Sequence, residues 1–320
     1  MADKTHIEWT DATWNPITGC SVVSPGCTNC YAMKLAGTRL RDHPSRCGLT
    51  QDSKAGPVWN GQVRLNEQWL DQPLRWKKPR MVFVCAHGDL FHESVPDEWI
   101  DKVFAIMALS PQHTFQVLTK RPERMRDYVI KNLSNGCGLD RQLGGEMKSM
   151  LDSHWPKLRE IVKKHNLPRP VFALPLPNVW LGVSVEDQKR ANERIPLLLD
   201  TPAAVRFISA EPLLGPITVF SMNGPIDIYR GMESPLDWVI VGGESGPGAR
   251  PMHPGWARSL RDQCAEADVA FFFKQWGNWR PVEPGTCPLV TGAAARVVRL
   301  RGYGNAINAE VAKAFIEATM

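Results

Sequence analysis

Short apolar runs recur along this chain with a spacing that restricts its fold. From residue 81 onward they are MVFVCA (81–86), TFQVLT (114–119), VWLGVSV (179–185), VRFISA (205–210), DWVIVGG (237–243) and VAFFFK (269–274). Their length and β-branched content suit strands buried on both faces, as in a parallel sheet. Most intervals are about 30 residues, the size of one βα unit. The segments between them carry helical patterns. Ile100, Val103, Phe104 and Met107 share one face of 97–109, and Met125, Tyr128, Val129 and Leu133 share one face of 122–133. Trp256, Leu260 and Cys264 do the same after Pro254-Gly255. Adding a first strand before Cys20 predicts an α/β fold: a TIM-like, partial (β/α) barrel of about six to seven parallel strands.

Two stretches interrupt the period and read as insertions. Residues 35–80 are rich in Arg, Gly, Pro and Trp and are expected to form a lobe over the barrel mouth. Residues 134–178 include an amphipathic segment, 146–165, broken by Pro156. The barrel is therefore expected over 1–280. A C-terminal extension, 281–320, is expected to be irregular to about 306 and then to end in a helix capped by Asn308.

Parallel barrels place function at the C-terminal ends of their strands. Just past each proposed strand stand Asp89, His92 and Glu93; Lys120 and Arg121; Ser184, Glu186 and Asp187; Glu211; Glu244 and Ser245; and Lys274 with Gln275. Past the first strand lie three cysteines in the spacing C-x6-C-x2-C: Cys20, Cys27 and Cys30, with Pro25-Gly26 available to turn the chain between them. Three thiolates on one loop can hold three irons of a [4Fe–4S] cluster and leave the fourth iron open. Two other readings stand beside this one. The trio is a structural zinc site with Cys47 or His43 as fourth ligand, or it is uncoordinated. The remaining cysteines, Cys85, Cys137, Cys264 and Cys287, are scattered, which argues against a disulfide framework.

The segments IEWTDATWNPITGC (7–20), SPGCTNCYA (24–32), DLFHE (89–93), LTKRPERM (118–125), WLGVSVED (180–187), FISAEPLLGPI (207–217), VGGESGPGARP (241–251) and FFKQWG (272–277) resemble the phage Gp37/Gp68-like three-Cys-motif proteins (DUF5131). The opening NPITGC…CYA is also similar to the entry segment of spore photoproduct lyase-like radical S-adenosylmethionine (SAM) enzymes. The usual radical-SAM loop is C-x3-C-x2-C, so the first gap here is longer. The resemblance implies a [4Fe–4S] cluster on Cys20, Cys27 and Cys30, with SAM on the open iron. An external one-electron reductant would drive formation of a 5′-deoxyadenosyl radical. Nucleic acid, DNA above all, is the implied substrate, for lesion repair or base modification, and a base in duplex must be flipped out to be reached.

Gly242, Gly243 and Glu244 look like the GGE segment that receives the SAM amino group, although the family's segment follows an earlier strand; a tight βα turn is the simpler reading. Ser184 and Glu186 are alternative SAM contacts, and Glu211 joins them at the next rim position. Lys120, Arg121 and Lys274 can bind phosphate or carboxylate. Cys85, beside His87, is either a hydrogen-atom donor to a substrate radical or a buried structural thiol. The tail 303–315 resembles a segment of the cytosine-C5 methyltransferase SAM pocket but reads more simply as a capped helix.

Composition permits these expectations without selecting among them. A net charge of +5 allows nucleic-acid binding. The twelve tryptophans serve either core packing or base stacking. No apolar run reaches a membrane-spanning length of about 18 residues, and the polar start MADKTHIEWTD lacks a secretory core, so a cytosolic protein is expected. Two rival functions remain: a metal-stapled nucleic-acid-binding protein without catalysis, and a radical-SAM enzyme acting on a peptide or small metabolite.

Overall fold

The computed structural model describes residues 5, 7–133, 175–220, 236–281 and 289–291. Seven strands form one sheet: β1 (Ala12–Trp14), β2 (Met81–Val84), β3 (Thr114–Thr119), β4 (Val179–Ser184), β5 (Val205–Ala210), β6 (Trp238–Gly242) and β7 (Ala270–Gln275). They are hydrogen-bonded in chain order, every neighbouring pair is parallel, and the sheet curls into a partial barrel. The first and last strands do not pair with each other, so the sheet stays open where a TIM barrel closes. Each apolar run of the sequence contains one of these strands. The helices are α1 (Tyr31–Gly37), α2 (Asp97–Ala108), α3 (Pro122–Leu133), α4 (Gln188–Leu199) and α5 (Pro254–Glu266).

The strands are apolar throughout because each face meets its own core. One face packs toward the helices through Val82, Val84, Phe115, Val117, Leu181, Val183, Val239, Val241 and Phe271, joined by Ile100, Val103, Met125 and Leu260. The opposite, concave face is aromatic. Trp9, Phe83, Phe207, Trp238 and Ile240 form its buried cluster, with Trp180 and Phe272 packed against it. This alternation is the period-two side-chain rule written along β2, β4, β5, β6 and β7. Gly182 sits on the crowded concave face: a Cβ there would lie 2.6 Å from the Phe207 ring. Tryptophans are thus used for packing at Trp14 and Trp238, each under a tenth exposed.

Part of the first insertion forms a hairpin, Thr50–Ser53 against Gly56–Trp59, and Ala32, Met33 and Ala36 of α1 cluster with Leu49 and Trp59 beside it. Arg64–Leu65 pairs with Ile17–Thr18, tying the insertion to the chain just before Cys20. In the extension expected to be irregular, Leu289–Thr291 pairs antiparallel with Trp279–Pro281. The amphipathic segment 146–165, Cys137, Cys287 and the helix expected after Asn308 lie outside the described residues. Among the described residues, no helix is long and apolar enough to cross a membrane.

Candidate functional site at the strand ends

A cavity of about 410 Å³ opens at the C-terminal ends of the strands. The three cysteines form one wall with Asn29 and Tyr31. Ile7, Trp9, Phe83 and Leu118 supply an apolar surface, and Lys120, Arg121, Ser184, Ser209, Glu211, Glu244 and Lys274 supply polar groups.

The cysteine loop is held across the mouth by groups from three strand ends. After β3, Arg121 donates to Ser21 Oγ at 2.7 Å and lies 3.4 Å from Cys20 Sγ. After β4, Glu186 Oε1 accepts from the Gly26 backbone N–H at 3.3 Å. After β6, Glu244 accepts from Asn29 Nδ2 at 2.9 Å, and Arg250 links the same carboxylate to the Pro25 carbonyl. Lys34 closes the far side by donating to Asn29 Oδ1 and the Pro247 carbonyl.

Each tether is braced in turn. Asp89 accepts from Thr119 Oγ1, the backbone N–H of Phe91 and Lys120, and Arg121 Nη1. Glu186, 1% exposed, also accepts from Arg194 at 3.1 Å. Burial pushes the Glu244 carboxyl up, but hydrogen bonds from Arg250 and Asn29 outweigh it and the net pKa is lowered. Stability from this group is therefore present above the ordinary carboxyl value of 4.5 and is lost as pH falls through its lower folded value. The expected result is a difference in Tm between wild type and Glu244→Gln at neutral pH that shrinks on acidification below 4.5. A difference constant from neutral to acid pH would contradict the assignment.

Burial drives the Cys20 thiol up to about 12, with Asp89 adding to the rise and Arg121 opposing it. Among the described residues, no group of three or more His, Cys, Asp or Glu side chains is arranged around one metal ion. The zinc candidates lie apart: Cys47 is exposed, and His43 stacks near Trp69 and bonds Ser45; neither lines the cavity. The three thiols of Cys20, Cys27 and Cys30 nevertheless line one cavity, and soft thiolate donors of this type suit a metal or iron–sulfur centre.

The chain matches, over residues 4–314, a family model described as a protein of unknown function, DUF5131. The protein belongs to this family. No curated protein and no solved structure matches it.

For this family member, the structure gathers most of the residues singled out in the sequence. Cys20, Cys27, Cys30, Cys85, Lys120, Ser184, Glu211, Gly243, Glu244 and Lys274 all line the cavity. Glu186 and Gly242 do not. Glu186 is a buried anchor of the loop. At Gly242, a Cβ would approach the Glu211 carboxyl to 3.2 Å, so the glycine leaves room for Glu211 to meet Lys274 across β6.

Glu244 faces the cavity but has four donors on it: the Arg250 backbone N–H, Nε and Nη2, and Asn29 Nδ2. Three of these meet Oε2 and one meets Oε1, so the carboxylate tethers the loop while Oε1 keeps an acceptor position. Gly243 also has a backbone reason, since a Cβ would sit 2.0 Å from the Trp276 carbonyl oxygen. Gly243→Ala is expected to cost about 1–3 kcal/mol through overpacking, read as a lowered denaturation midpoint. An unchanged midpoint would mean that this turn shifts freely. Cys85 is 3% exposed, with φ of 57° and a thiol pushed up to about 12, chiefly by burial.

Asn29 and Arg250 were not legible as functional, whereas Tyr31 stood in the CYA segment that carries the resemblance. Tyr31 donates its hydroxyl to the Ala86 carbonyl at 2.8 Å, joining α1 to the end of β2. The one local signal for Asn29 was its position inside the C-x2-C pair.

Proposed function

We propose that this protein is a radical-SAM enzyme acting on nucleic acid, with Cys20, Cys27 and Cys30 holding a [4Fe–4S] cluster at the mouth of the partial barrel. The observation that carries the reading is the cysteine wall. Three thiols line one cavity, on a loop pinned by buried charged groups from three strand ends. When bound, the cluster supplies one electron for reductive cleavage of the SAM sulfonium.

The chain's own residues bind and orient the reactants. Ser184, Ser209 and the Lys274–Glu211 ion pair offer donors and an acceptor on the cavity's polar side. Trp9 and Phe83, with ring centroids 4.7 Å apart, give an apolar surface for a flat heteroaromatic ring and help exclude water. Lys120 and Lys274 at the rim suit a phosphate-bearing substrate. A flipped base meets these requirements, and the net charge of +5 favours a polyanion. DNA repair or base modification is the activity proposed, with an external one-electron reductant.

The test is anaerobic reconstitution with iron and sulfide, then reductant, SAM and lesion-bearing or undamaged DNA. 5′-Deoxyadenosine that increases with DNA supports the whole reading. Product that ignores DNA supports the chemistry on a peptide or metabolite instead. A colourless protein with stoichiometric zinc and no product rejects the enzyme.

A further inference from the structure

Arg121 distinguishes Cys20 from the other two cysteines. Its side chain is 6% exposed. Nε donates to the two Glu93 oxygens at 3.0 and 3.1 Å, Nη1 to Asp89 at 3.1 Å, and Nη2 to Ser21 Oγ at 2.7 Å. These anchors fix the guanidinium plane with Nη1 at 3.4 Å from Cys20 Sγ. Among the described residues, no cationic side chain bonds the sulfur of Cys27 or Cys30; the Cys27 sulfur meets only Ser24 Oγ, at 3.9 Å. The guanidinium stays charged at any pH the protein meets. Asp89, bonded to the same Nη1, opposes that charge at Cys20, so Arg121 is the one group there that favours negative charge on the sulfur.

We infer that Arg121 is a positioning residue that makes Cys20 a distinct ligand. Its N–H and its charge stabilise added negative charge on the Cys20 side of the site. Resting on the cluster reading above, this predicts that Arg121 raises the cluster's reduction potential, because hydrogen bonds to sulfur and nearby positive charge favour the reduced state.

The test has one arm that needs no iron. In metal-free protein, Cys20 is labelled with an anionic and with a cationic methanethiosulfonate, and its peptide is followed by mass spectrometry. The ratio of the two rates reports the local potential and cancels accessibility. Arg121→Gln is expected to lower the anionic-to-cationic ratio at Cys20 by about tenfold, leaving Cys27 and Cys30 little changed, and Arg121→Lys is expected to restore it. An unchanged ratio in Arg121→Gln overturns the inference. Should Arg121→Gln not fold, Cys20→Ala probes the contact from the other side. The guanidinium N–H resonances of Arg121 in selectively 15N-labelled protein then shift if the sulfur is their partner, and an unshifted set overturns the inference.

In reconstituted protein, Arg121→Gln is expected to move the one-electron equilibrium tenfold toward the oxidised cluster, a drop of about 59 mV. An unaltered potential overturns the redox part. Wild-type protein that takes up no iron sinks the cluster reading instead, and the labelling ratio still decides the Arg121–Cys20 contact.

Discussion

Cys27→Ala is expected to lower 5′-deoxyadenosine formation by more than about 100-fold and to strip most of the reconstituted iron. The same is expected of Cys20→Ala and Cys30→Ala. A cluster held by three protein thiolates has no spare ligand, and even residues behind a metal's own ligands typically cost about 10–100-fold in affinity or activity when changed. Among the described residues, Cys85 is the one other thiol that lines the cavity, and it is 3% exposed. Cys47 is exposed and away from the cavity, Cys264 is buried on α5, and Cys85 is buried at the end of β2. Cys47→Ala is the matched control and should leave iron content and product formation unchanged. Iron retained at the wild-type level in all three loop variants would place the cluster elsewhere and end this reading of the loop.

Glu186→Ala carries the second large effect, through the fold rather than the chemistry. The carboxylate is 1% exposed, accepts from Arg194 at 3.1 Å, lies 4.0 Å from Arg190 and accepts from the Gly26 N–H. Arg194 is itself 6% exposed, and its other bond is to the Ser184 carbonyl at 2.7 Å. Removing the acid leaves that guanidinium buried without its counter-charge, a change that costs about 3–5 kcal/mol. It also frees the Pro25-Gly26 turn between Cys20 and Cys27. Denaturant unfolding is expected to show the loss, and hydrogen exchange should show faster exchange at Gly26. Glu186→Gln, which keeps an acceptor for Gly26 and Arg194, should recover part of both. Stability at the wild-type level in Glu186→Ala would show that α4 and the loop are held by other contacts.

These two variants also mark how far the sequence could be read. The strands were visible because both faces of the sheet are buried, so each strand is a nearly continuous apolar run whatever its neighbours are. The helix faces followed from their 3.6-residue period. Cys20, Cys27 and Cys30 were visible because their short spacing confines them to one loop. Glu186 and Glu244 were legible as polar groups at strand ends, but their work was not. A carboxylate at a rim looks the same in sequence whether it meets a ligand, an arginine on the next helix or a backbone N–H on a distant loop.

Gly243 shows the same limit. Its motif reads either as a ligand-approach segment or as a tight βα turn, and the close approach of the Trp276 carbonyl gives the turn its own reason for glycine. Asn29 and Arg250 carried little signal because their partners lie 215 and 225 residues away, at Glu244 and Pro25.

The sequence alone determined the α/β class, the parallel order implied by βα repeats, the cysteine loop and the family, since each rests on local period or short spacing. Only the tertiary structure decided that the sheet remains open between β1 and β7, that Arg121 stands beside Cys20, and that Glu186 and Glu244 serve as tethers. Those outcomes depend on which distant groups the curl of the sheet brings within hydrogen-bond range. That competition among partners is settled by three-dimensional distance, which no one-dimensional spacing encodes.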